Sequence, residues 1–246
     1  MKRMSWQTLL IVSLVGLSAA FYWFHYAVFH DAHHIFIYLV GDVAFVPIEV
    51  LLVTLIIHRI LAARETRARL EKLNMVIGAF FSEVGTHLLT LLSDADPALE
   101  EIRSDLVVDA DWTEEEYRRV SARLKGRRYS VDLAKIDLED LRLFLTAKRD
   151  FLLRLIENPT LLEHESFTGL LRAAFHLTEE LAGRRDLTSL PESDMRHITG
   201  DIVRSYSRLV GEWLDYMRHL KDNYPYLFSL AMRTNPFDET ASPVVT

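Results

Sequence analysis

From Trp6 to Phe29 the chain carries no charged side chain, and from Ile35 to Ile57 it carries only Asp42 and Glu49 in an otherwise apolar run. Each stretch, at about 23 residues and about 1.5 Å rise per residue, can cross a hydrocarbon layer of roughly 30 Å. Helix is the backbone state that satisfies its own polar groups there. The link from His30 to His34 is so short that the two stretches are expected to form an antiparallel hairpin.

After Arg64 the pattern changes. Leu70, Leu73, Ile77, Phe80, Val84, His87 and Leu91 recur at alternating steps of three and four, a narrow apolar seam interrupted only at His87. Nothing between Pro47 and Gly78 obliges the backbone to stop, so the second hairpin helix is expected to run on into this one. Pro97 opens a short acidic helix, Asp111 or Thr113 can cap the next, and Thr113 with Glu116 has the spacing of a capping box. Gly126 and Arg127-Arg128-Tyr129 mark a loop. Residues 136–157 place Leu138, Leu141, Leu145, Leu152 and Leu155 at helical spacing and end before Asn158-Pro159. A further stripe of Phe167, Leu171, Ala174, Leu177 and Leu181 is stopped by Gly183. Pro191 then starts a helix that turns Ile198, Ile202, Tyr206, Leu209, Trp213 and Leu220 inward.

The pattern therefore predicts an all-α protein. Residues 1–61 read as a two-helix transmembrane hairpin, residues 62–234 as a cytoplasmic antiparallel bundle of about five helices, and residues 235–246, with Pro236 and Pro243, as a flexible tail.

Charge refines this division. Lys2 and Arg3 precede the first helix, Arg59, Arg64, Arg67, Arg69 and Lys72 follow the second, and the link has no Lys or Arg. This asymmetry predicts a multi-pass protein of the cell membrane with both termini cytoplasmic. Tyr22, Trp23, Tyr26, Phe36 and Tyr38 would gather at the outer interface and Trp6 at the inner one. A cleaved leader is the competing reading of Lys2, Arg3, the run from Leu9 and Ser18-Ala19-Ala20; the unbroken apolar continuation from Phe21 to Phe29 favours an anchor. Basic and acidic residues balance in residues 1–61, so the net charge of −7 falls on the remainder, which argues against nucleic acid as a partner. The absence of cysteine excludes disulfides, thiolate metal sites and cysteine nucleophiles.

Candidate chemistry concentrates first in the hairpin. Asp42 and Glu49 are seven residues apart, on one face of the second helix, and an ionised group in hydrocarbon costs several kcal/mol. Pro47 between them removes a backbone hydrogen bond and is expected to kink the helix. In the first helix Gly16 and Ala20 form a small-xxx-small pattern suited to close helix packing. With no intramembrane cation to neutralise them, the acids are either protonated and hydrogen-bonded to fix packing, or exposed to a cation or proton path in a homo-oligomer. His25, His30, His33 and His34 surround the outer turn, where His30 and His34 are weak metal candidates if the helix continues through them; hydrated interfacial imidazoles are the plainer account.

Four histidines in the second part have a carboxylate four residues away: Glu83 with His87, His176 with Glu180, His197 with Asp201, and Asp215 with His219. On a helix such partners meet and add a little stability with or without a metal. A ferritin-like di-iron centre needs two Glu-x-x-His elements, and only Asp194-x-x-His197 comes near, so metal chemistry is not expected here. Walker, dinucleotide, His-Glu-x-x-His and Gly-x-Ser-x-Gly motifs are absent, so neither enzymatic activity nor a cofactor is expected. Arg127 and Arg128, with Arg64, Arg67 and Arg69, are candidates for anionic lipid contact, weakened by Glu65 and Glu71. The leading expectation is a homo-oligomeric membrane protein with a polar path at Asp42 and Glu49, its cytoplasmic bundle controlling assembly or gating. The alternatives are a membrane-anchored scaffold or signal relay whose bundle binds a soluble protein partner, and a lipid or small-molecule binding protein with its cavity among the cytoplasmic helices.

Overall fold

The computed structural model describes residues 6–161 and 164–244; Lys2 and Arg3, and the side chains of Arg67, Arg69 and Leu70, lie outside the described residues. The described chain is helical, without strands. It divides into two compact units, residues 1–66 and 67–246.

The first unit is built from α1 (Trp6–Phe29) and the start of α2 (Ala32–Phe80). Both are long and apolar enough to cross a membrane by length and composition, and no side chain of α1 is buried. The turn between them is tighter than the link from His30 to His34 suggests. His30 adopts φ 52°, in the left-handed region, and Asp31 Oδ1 accepts the His34 backbone N–H at 3.1 Å, giving α2 its start. α2 continues through Pro47 as one unbroken helix.

In the second unit the last turns of α2 bury Leu73, Ile77 and Phe80 on the expected seam. The seam then changes register. Residues Phe81–Gly85 form a π-helical turn before α3 (Thr86–Asp94), and the wider turn advances the buried stripe by one position. Val84 is still buried, but Leu88, Leu89 and Leu92 follow it inward, while His87 points outward with its ring 4.4 Å from that of Phe144. Gly85 makes this possible, because a Cβ there would lie 2.7 Å from Phe81 Cδ1 and 2.9 Å from Phe80 Cε1. The two rings go on to pack against Phe167 and Tyr216.

Three short helices follow: α4 (Glu100–Leu106), α5 (Glu114–Gly126) and α6 (Leu138–Ala147). The Thr113–Glu116 capping box forms as its spacing predicts. The expected helix over residues 136–157 is divided at Lys148 (φ −98°, ψ 0°) into α6 and α7 (Arg149–Ile156), although Leu138, Leu141, Leu145, Leu152 and Leu155 are all buried. α8 (Glu165–Ala182) and α9 (Glu192–Asn223) form the central pair. α6 and α7 pack on α8, and α3, α5 and α10 (Pro225–Arg233) pack on α9. Arg127, a lipid-contact candidate from sequence, instead has a side chain only 7% exposed. Its Nη2 pairs with Asp96 Oδ2 at 2.9 Å, and the Tyr206 hydroxyl donates to the same oxygen at 3.2 Å. The flexible tail expected from Asn235 is also revised at its start. Asn235 Nδ2 donates to the Leu106 carbonyl at 2.9 Å, and Phe237 is fully buried with its ring against Trp213. An apolar ring at 237 outweighs the loop-forming prolines around it.

Candidate metal centre

α8 and α9 meet because each carries a continuous apolar stripe: Leu170, Leu171, Ala174, Leu177 and Leu181 on one, Ile198, Ile202 and Leu209 on the other. The helices run antiparallel, so the last turns of α8 lie beside the first turns of α9. On the flank of that seam, His176 and Glu180 stand one turn apart on α8, and His197 and Asp201 one turn apart on α9. One ligand atom from each can be chosen so that all four lie within 4.8 Å of one another.

Asp201 is the hub. Its Oδ2 lies 3.4 Å from His176 Nε2 and 3.4 Å from His197 Nε2, while Glu180 Oε2 lies 3.4 Å from His197 Nε2 and Glu180 Oε1 3.8 Å from His176 Nε2. These distances exceed the range of about 2.7–3.2 Å for a well-formed N–H···O bond. The three contacts at 3.4 Å lie near the edge of about 3.3 Å that tetrahedral coordination produces with metal–ligand bonds of about 2.0–2.1 Å, while the His176–Glu180 contact at 3.8 Å is wider. Asp201 is 2% exposed, and its Oδ2 is buried without a hydrogen-bond partner, although it faces both imidazoles. A buried carboxylate oxygen is costly in that condition, and a cation placed among the four groups relieves it.

The supporting groups are arginines. Arg204 Nη1 donates to Asp201 Oδ1 at 2.8 Å, one turn along α9, which leaves Oδ2 directed at the imidazoles. Arg184 Nη1 donates to Glu180 Oε2 at 2.8 Å, while its Nε and Nη2 hold both oxygens of Asp194 at 2.8 and 2.5 Å. That fork ties the end of α8 to the start of α9 and sets the spacing of the ligands. The hydrogen bond from Arg184 is the chief reason the Glu180 carboxyl is held below its ordinary range; it does the same for Asp194. Both carboxylates are therefore ionised at neutral pH, the state in which Glu180 can ligate.

The residues that sequence singles out in the hairpin are not brought into a constellation. Asp42 and Glu49 are exposed on α2 and, among the described residues, their side chains make no hydrogen bond or ion pair. Pro47 lies between them within the helix. Gly16 and Ala20 are exposed on α1, and a Cβ at Gly16 would meet nothing within 4 Å, so no close helix contact is made there. The proposed pairing of His30 with His34 requires one helix through both, and the left-handed His30 ends it. His34 stacks instead on His25, with ring centroids 5.8 Å apart, and His30 approaches Tyr26.

Of the four His–carboxylate pairs, only the two on α8 and α9 converge. Glu83 is taken by Lys148 at 2.8 Å; Asp215 pairs with Arg218, and His219 Nδ1 lies 3.0 Å from Asn74 Nδ2. The spacing is visible in the sequence for all four, so the signal for the site was present, but nothing in it tells which pairs face each other.

Comparison with known proteins gives a family. Residues 69–233 match the sequence family described as "Uncharacterized protein MJ1433, C-terminal helical domain", and residues 2–61 match "MJ1433, N-terminal helical domain". The chain is 47% identical over 230 residues to "Uncharacterized protein MJ1433" of Methanocaldococcus jannaschii, covering 94% of this chain and 92% of that one. No solved structure matches the chain.

Proposed function

The chain belongs to the MJ1433 family, and we propose that this member is a membrane-anchored helical protein that binds a divalent transition-metal ion through His176, Glu180, His197 and Asp201. The carrying observation is the buried, unbonded Asp201 Oδ2 facing two imidazoles, with a second carboxylate, Glu180, completing the set of four. Two imidazoles and two carboxylates suit Zn²⁺, Fe²⁺ or Mn²⁺ better than a hard cation alone or a thiolate-seeking one. This reading introduces a metal where the sequence led to none. The anchor is supported by the length and apolar composition of α1 and α2.

The test is metal titration of the full chain in detergent. Zn²⁺ is followed by calorimetry, and Co²⁺ by its visible absorption, which reports tetrahedral nitrogen and oxygen ligation. One equivalent bound by the parent and none by His176→Ala/His197→Ala is expected. Ion pairs alone would give no stoichiometric uptake, and that result would sink the proposal.

A second reading rests on the carboxylates of α2. Two exposed acids without partners on an apolar helix favour a homo-oligomer in which copies surround a cation or proton path at Asp42 and Glu49. Its measurement is cation and proton flux in liposomes: the parent should conduct, and Asp42→Asn/Glu49→Gln should not. A monomer in nanodiscs would eliminate it.

A further inference from the structure

The metal ligands do not stand alone on the α8–α9 seam. Moving from His176 toward the start of α8, the two helices line a cavity of about 610 Å³ whose wall includes Glu165, Gly169, Arg172, His176, Arg204 and Arg208. Three guanidinium groups thus face one carboxylate. Arg204 is engaged by Asp201, but among the described residues neither Arg172 nor Arg208 has an ion-pair partner. By contrast, Arg184 at the far side of the metal ligands is saturated by two carboxylates. Arg208 feels the buried Glu212 one turn on without pairing with it, and cationic groups that outnumber acids in a concave wall raise the local concentration of anions.

The arrangement is built rather than incidental. Arg172 stands one turn before His176 on α8, Arg204 nearly one turn after Asp201 on α9, and Arg208 one turn beyond that, so the guanidinium groups form a file that leads to the metal ligands. Arg208 reaches the wall by lying across α8 at Gly169, where a Cβ would collide with its Nη1. A glycine at 169 therefore makes the room that this guanidinium occupies. His176 belongs to both places: it lines the cavity and presents Nε2 to the Asp201 hub.

We infer that this cavity binds the phosphate group of a ligand, with Arg172 and Arg208 grasping its oxygens and the metal ion at His176 taking one of them as a fifth ligand. The metal contact rests on the proposal above; the arginine contacts do not. Phosphate fits better than carboxylate because two forked guanidinium groups plus a cation call for at least three acceptor oxygens and a charge of about −2, which one carboxylate lacks. Such a group comes either from a soluble phosphate ester or from a lipid headgroup.

The experiment uses the full chain in phosphatidylcholine nanodiscs, stripped of metal or loaded with one equivalent of Zn²⁺. Each form is titrated calorimetrically with inorganic phosphate, then with glycerol 3-phosphate as the soluble probe and dihexanoyl phosphatidic acid as the headgroup probe. The inference expects saturable phosphate binding, tighter in the Zn²⁺ form, and at least tenfold weaker in Arg172→Gln/Arg208→Gln, whose Zn²⁺ affinity and melting temperature stay as in the parent. Gly169→Ala, which only displaces Arg208, should weaken phosphate several-fold with Zn²⁺ binding unchanged. Whichever of the two ester probes binds more tightly identifies the source. Phosphate binding that is absent, or indifferent to the arginine substitutions, overturns the inference while leaving a Zn²⁺-binding centre standing. Failure of Zn²⁺ uptake with arginine-dependent phosphate binding retained would overturn the metal proposal and uphold the cradle.

Discussion

His176 Nε2 and Asp201 Oδ2 lie 3.4 Å apart although one stands near the end of α8 and the other near the start of α9. The contact exists because the connection between the helices is held by the Arg184–Asp194 fork, and because both residues occupy the flank next to the buried stripe rather than the stripe itself. Separation of the two groups by even one helical turn would leave Asp201 only its own-helix neighbours, His197 and Arg204.

The supporting arginine provides a graded test of the metal centre. Asp201→Asn removes a charged ligand and should abolish measurable Zn²⁺ binding. Arg204→Gln keeps every ligand but frees Asp201 Oδ1, and should weaken Zn²⁺ by about 10–100-fold, the usual effect of losing an outer hydrogen bond to a ligand. Calorimetric titration separates the two.

Gly85→Ala should destabilise the second unit by about 1–3 kcal/mol, since the added methyl meets two core rings that cannot move freely. Urea unfolding followed by circular dichroism measures it. Gly200→Ala, at a helical position where a Cβ would meet nothing within 4 Å, is the control and should be neutral or slightly stabilising.

Phe237→Ala should cost about 3–5 kcal/mol, because the ring is fully buried against Trp213. Truncation after Thr234 should cost at least as much, since it also removes the Asn235 hydrogen bond to Leu106. The same unfolding measurement would show a tail without structural role if stability were unchanged.

Glu212 on α9 supplies a pH dependence. It is 5% exposed, and burial pushes its carboxyl above the ordinary value of 4.5, against the opposing influence of the Ser166 hydrogen bond and nearby His164. The neutral form is thus the one the fold favours. Its stabilising contribution is complete below about pH 4.5 and is lost as pH rises through the raised folded-state value. Glu212→Gln, which cannot ionise, should match the parent in acid and exceed it in stability at neutral and alkaline pH. Melting temperatures across that range would reveal the widening gap.

Much of the helical layout follows from local chemistry. The capping box at Thr113, the stop at Gly183, the start after Pro191 and the inward stripe from Ile198 to Leu220 all depend on residues within a few turns of each other, so the chain itself declares them. The same holds for the apolar composition of α1 and α2, which is a property of each segment alone.

What required the tertiary structure was everything decided between helices. Periodicity reveals which face of α8 carries His176 and Glu180, but four helical His–carboxylate pairs look alike until packing places two of them together and gives Glu83, Asp215 and His219 other partners. The π turn at Phe81–Gly85 is of the same kind: its added width is set by how Phe80 and Phe81 meet Phe167 and Tyr216, and it moves His87 outward where a uniform helix would have kept it on the seam. Spacing along one helix is a one-dimensional quantity, whereas a metal centre or an arginine cradle needs the relative position of two helices. That position is fixed by the sum of the buried contacts and by no short stretch of residues.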